Sequence, residues 1–185
     1  MERDFVMVKN IFVIFAFFIS LSSAQPKSVT AAKNESSITY YLVHPLHKIE
    51  ATCNDVLTLA MIDAKNKSIK SVSTVVDVTT FDSGNSNRDS HAMEVIDALS
   101  FPEARFVSFV VATQGDSVFV KGKLTFHGIT HDVTIAAISL WTATSVKFNG
   151  GFTISLTQFQ IERPSLLMVP VEDDLRFTLQ AVFHF

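Results

Sequence analysis

The sequence predicts an all-β domain, an antiparallel barrel or sandwich of about eight strands carrying one short helix. Three observations predict it. Apolar and polar residues alternate with period 2 along almost the whole chain after residue 24, as in Leu175, Phe177, Leu179, Ala181 and Phe183 against Arg176, Thr178, Gln180 and His184. The stretches are separated by turn chemistry, including Gly115-Asp116, His127-Gly128-Ile129-Thr130 and the segment from Pro164 to Pro170. A single segment has helical spacing instead, with Ala92, Val95, Ile96 and Leu99 on one face.

The elements follow in order. Lys9 precedes the apolar run Ile11 to Ile19, and small residues stand at Ser22 and Ala24, the pattern of a secretory signal peptide cleaved after Ala24. The run is too short for a bilayer span, which takes about 20 residues. Residues 25–185 then form one domain, with no internal repeat and no linker. Strands are expected near 36–44, 48–63, 67–81, 104–114, 117–127, 131–142, 145–160 and 172–185. The helix lies between the third and fourth, capped by Asp89 or Ser90 and stopped before Pro102.

Composition narrows the function classes. The chain has 185 residues, a net charge of -3, six Gly and five Pro, so it is neither basic enough to suggest nucleic acid nor biased enough to suggest disorder. One cysteine, Cys53, removes any internal disulfide, and its apolar neighbours predict burial. The 17 Phe require an apolar destination. An eight-stranded barrel is about wide enough either to be filled by its own side chains or to hold one small ligand, and alternation alone leaves both open.

Catalytic chemistry is weakly represented. His127 and His131 flank a turn with no carboxylate or thiol at ligand spacing, and polar turn residues are favoured over a metal site. His44 and His47 bracket Pro45-Leu46 and predict a structured bend. No Gly-x-Ser-x-Gly elbow and no Gly-rich phosphate loop occurs. No enzymatic activity, cofactor or metal is therefore expected. Arg88 and Asp89, with His91, have two readings: a polar lid at the barrel mouth, or a helix start in which Arg88 pairs with a neighbouring carboxylate.

Four segments together resemble the YceI-like family. They are Val75 to Asn85 followed by Arg88-Asp89-x-His91, then Phe101-Pro102-Glu103-Ala104-Arg105-Phe106, then Val120 to His131, and finally Phe159-Gln160-Ile161-Glu162-Arg163-Pro164. The opening His44 to Ala51 departs from the family's usual start. The resemblance implies a lipocalin-like, eight-stranded barrel with a long apolar pore, in a periplasmic or secreted protein that binds polyisoprenoid chains or related lipids. The expected pore lining is the inward rows Val76, Val78, Phe106, Val120, Leu124, Phe126, Phe148, Phe152, Ile154, Phe177 and Leu179, with Arg88, Asp89 and His91 at the mouth. The competing expectation is a non-catalytic interaction protein with a filled core. It would dimerise through the apolar turn 164–171, which also reads as a lid. Neither expectation involves nucleic acid or an integral membrane protein.

Overall fold

Most inward rows find their partner in the next strand along the chain. In the computed structural model, which describes residues 25–185, β4 (Val56–Asp63), β5 (Ser68–Asp77), β6 (Glu103–Gln114), β7 (Ser117–Phe126), β8 (Ile129–Trp141) and β9 (Ser145–Ser155) form an antiparallel meander. The last long strand, β12 (Asp174–His184), pairs with β9 on one side and with β2 (Ser37–His44) on the other. Strands β1 (Lys27–Thr30) and β3 (His47–Cys53) take the two ends, giving one ten-stranded sheet ordered β1-β4-β5-β6-β7-β8-β9-β12-β2-β3. A separate hairpin joins β10 (Ser165–Leu166) to β11 (Val169–Pro170).

The sheet curls round on itself. Beyond β1, the Ala31 N–H donates to Thr58 O at 2.8 Å and the Ala32 N–H donates to Val182 O at 2.7 Å, tying the β4 side of the sheet to β12. At the opposite end Thr52 and Asp82 form an isolated antiparallel bridge. Cys53 beside that bridge is fully buried, with its sulfur 3.0 Å from the Thr80 hydroxyl.

The barrel is all-β and antiparallel as expected, but with ten main strands instead of eight. The stretch 48–63 divides at Asn54-Asp55, which turns the chain between β3 and β4. The added β1 reads Lys-Ser-Val-Thr, too short and polar for alternation to register. The helix α1 (Ser86–Val95) is capped by Asn85, whose side chain accepts the Arg88 N–H at 3.1 Å, and not by Asp89 or Ser90. It also stops earlier. Asp97 takes a left-handed φ of 44°, which turns Ala98 inward and leaves Leu99 98% exposed, off the expected apolar face. The signal-peptide expectation falls on residues 1–24, outside the described residues.

Candidate functional site

One half of the barrel is packed. Val118, Val146, Phe148 and Phe183 are buried, with the Trp141 ring edge-on to Phe148 at 6.4 Å and Phe148 edge-on to Phe183 at 6.0 Å. The other half is hollow, enclosing a cavity of about 560 Å³. The alternation of β2, β5, β7, β9 and β12 builds its wall, because every second residue of an antiparallel strand faces the same way.

An aromatic band crosses four segments of that wall. Phe152 pairs with Phe177 across β9 and β12, their rings stacked 4.7 Å apart and 12° from parallel. Phe177 pairs in turn with Tyr40 of β2, whose ring lies 5.3 Å from Phe81. Of the residues expected on the pore, Val76, Val78, Phe106, Leu124, Phe126, Phe152, Ile154, Phe177 and Leu179 border the cavity. Val120 and Phe148 do not; both belong to the packed core. Alternation gives the face a residue occupies but not its depth along the barrel, and these two lie on the filled side.

Helix α1 closes over the hollow half through Ala92, Met93, Val95 and Ile96. Its start is fixed by a polar knot on Ser83. The Ser83 N–H and hydroxyl both donate to the Asp89 carboxylate. The Arg88 guanidinium donates from Nε to the Ser83 hydroxyl at 2.8 Å and from Nη2 to the Ser83 carbonyl at 2.7 Å. Arg88 and Asp89 thus meet through Ser83, where a direct ion pair between Arg88 and a carboxylate was the expected structural role. Both residues border the cavity as well, as does the largely exposed His91, whose Nδ1 lies 3.7 Å from Glu94. The Tyr40 phenol extends toward this polar end. Burial pushes its pKa up, the Asp89 charge pushes it further, and Arg88 opposes.

The histidines do structural work. His127 Nδ1 donates to Phe159 O and His131 Nε2 donates to Gln158 O, each at 2.9 Å, so the β7–β8 hairpin grips the turn Thr157–Phe159. His44 is buried; its Nε2 donates to Val169 O at 2.9 Å, and its Nδ1 accepts the Leu46 N–H at 3.1 Å. Among the described residues no three His, Cys, Asp or Glu side chains converge to hold a metal ion, and no helix is long and apolar enough to cross a membrane.

Sequence reasoning missed the β2 contribution of Ile38, Tyr40 and Leu42, although their alternation was legible. It also missed Ile161 and Val171, which reach the cavity from irregular chain where no period exists to read.

Residues 30–183 match the YceI-like domain family. A UPF0312 protein of Vibrio campbellii is 35% identical over 108 residues, covering 54% of this chain and 57% of that protein. Protein YceI of Salmonella arizonae is 30% identical over 107 residues, 54% of this chain and 56% of its own. The chain thus matches these curated relatives over about half their length. Among solved structures, BcnA of Burkholderia cenocepacia superposes with a TM-score of 0.75 at 21% identity, over 82% of this chain and 98% of that one. A polyisoprenoid binding domain from Saccharophagus degradans gives 0.63 at 9% identity, over 86% and 98%. At these identities the two structures speak for a shared fold.

Proposed function

The chain belongs to the YceI-like family, and on that premise we propose that it binds a long-chain isoprenoid or similar amphiphile in the hollow half of its barrel, without transforming it. The single observation that carries this reading is the cavity of about 560 Å³ with its wall of apolar and aromatic side chains. Its size falls within the range of about 300–1,000 Å³ usual for small-molecule sites. Each CH₂ moved from water into such a wall contributes roughly 0.8 kcal/mol before ordering costs, so an apolar chain needs few polar contacts to bind. The polar knot of Arg88, Asp89 and Ser83 stands at one end of the cavity, where it suits the head of an amphiphile. The solved Saccharophagus degradans domain, described as polyisoprenoid-binding, supports the same ligand class.

The non-catalytic part of the proposal has a physical basis. Arg88 and Asp89 are tied to Ser83, and His44 to main-chain groups, so these three side chains are held in place by the fold. Export to the periplasm or medium belongs to the same proposal, resting on residues 1–24. Native mass spectrometry followed by organic extraction of the protein from its own source tests it. A bound mass that extracts as a long-chain lipid is expected. A bare polypeptide that takes up neither added polyprenol nor fatty acid would overturn it.

A further inference from the structure

We propose that two adjoining hairpin tips, Pro45-Leu46 and Leu167-Met168, dock the protein onto a lipid bilayer, so that a chain ligand passes between membrane and cavity without crossing water. The proposal rests on the reading of the cavity as a site for such a chain.

The tips form one apolar projection. Leu46 is 65% exposed, Leu167 77% and Met168 97%. His44 joins them, since it holds Leu46 N–H with one ring nitrogen and Val169 O with the other. Beneath the second tip, Arg163 donates through Nε and Nη2 to Val171 O at 2.9 and 2.6 Å, and the Val171 N–H donates to Pro164 O at 2.9 Å. His44, Pro164, Ser165 and Val171 all border the cavity. The roots of the projection are therefore part of the cavity wall itself.

The backbone of the second tip sharpens the point. Leu166 pairs with Val169, so Leu167 and Met168 are the two central residues of a two-residue hairpin turn, with φ of 53° and 66°. Left-handed φ at both positions suits Asn-Gly, and bulky side chains there cost backbone strain as well as solvent exposure. Folding recovers neither cost, because both side chains point away from the core. Insertion among acyl chains recovers the exposure, and the ligand class of the cavity is itself dissolved in such a phase. The exposed charges on the flanking strands and loops are mixed, Lys48 against Glu162 and Glu172, which favours attachment by apolar insertion over attraction to anionic lipid.

Flotation with vesicles of pure phosphatidylcholine tests this. The protein is expected to float with them, with little dependence on salt. The double variant Leu167→Asn/Met168→Gly removes the apolar tip while installing the favoured turn, so the hairpin itself is retained. It should partition at least about tenfold less. Its uptake of polyprenol from those vesicles should slow in parallel, while uptake of polyprenol delivered in cyclodextrin stays unchanged. Failure of the protein to float, or equal flotation of protein and variant, overturns the proposal. So does a dimer that the variant splits in sedimentation while flotation is unaffected, which would assign the tip to a second copy. If polyprenol enters from neither donor, the cavity reading fails, and flotation alone still decides whether the tip docks.

Discussion

The packed and hollow halves of the barrel are made of the same strands and the same alternation, yet one is full and the other is not. Both contain aromatic rings, and their attitudes differ. In the packed half Trp141, Phe148 and Phe183 meet edge to face, at 85° and 71°, and Phe148 and Phe183 are buried. In the hollow half Phe152 and Phe177 stack on neighbouring strands, 12° from parallel, and both border the cavity. Aromatic content alone therefore does not say whether a small barrel is open. Where each ring stands along the barrel does.

Truncation should separate the halves most strongly. Phe148→Ala is expected to cost about 3–5 kcal/mol in chemical denaturation, since it opens a hole in a close-packed region. Phe152→Ala should cost only about 1 kcal/mol, because one side of that ring already faces the cavity, while polyprenol binding weakens several-fold. Equal losses of stability would erase the distinction. Filling the space in place of emptying it, with Phe152→Trp, should lower polyprenol uptake in a titration while leaving the denaturation midpoint nearly unchanged.

The boundary between the halves runs past Gly150, where a Cβ would collide with the Ala136 carbonyl and sit 2.6 Å from Ala137 Cβ. Gly150→Ala should therefore destabilise the protein by about 1–3 kcal/mol in denaturant. Over the hollow half Asn85→Ala removes the cap of α1 and should cost about 1 kcal/mol. Amide exchange in 86–95 should then quicken while the packed strands keep their protection.

The smallest effect concerns pH. The Ser155 hydroxyl's hydrogen bond holds the Asp173 carboxyl below the usual carboxylate range, against partial burial, with further help from Thr157 and the Arg163 charge. A depressed folded-state pKa stabilises above the unfolded value of about 3.9 and is lost as pH falls through the folded one. Asp173→Asn should accordingly be less stable than the parent protein at neutral pH, with the gap closing below about pH 4 in acid titrations followed by circular dichroism. A gap that persists in acid would assign the effect to packing.

Fold class was legible because period 2 recurs in every long strand, and the place of α1 was legible from its single break in that period. What escaped had no period to carry it. Four residues of β1 are too few, and Asn54-Asp55 interrupts an apolar run that otherwise reads as one strand. The cap falls to Asn85 because the helix starts at Ser86, which leaves Asp89 inside its first turn and bonded to Ser83. Phe148 and Val120 alternate as well as Phe152 and Leu124, and only depth along the barrel decides which pair meets empty space.

The aromatic band across Phe152, Phe177, Tyr40 and Phe81 has a kinetic consequence. From β4 to β9 most of the sheet forms by local hairpins, but Phe177 reaches Tyr40 only when the chain's final strand returns to pair with one near its beginning. Such a long loop is slow to close, so its contacts are expected late in the order of assembly. The band is completed at that junction, so whatever binds against it clasps the last-closed seam and holds the folded chain shut by mass action. On the reading of the cavity as a ligand site, an occupied molecule should open more slowly than an empty one.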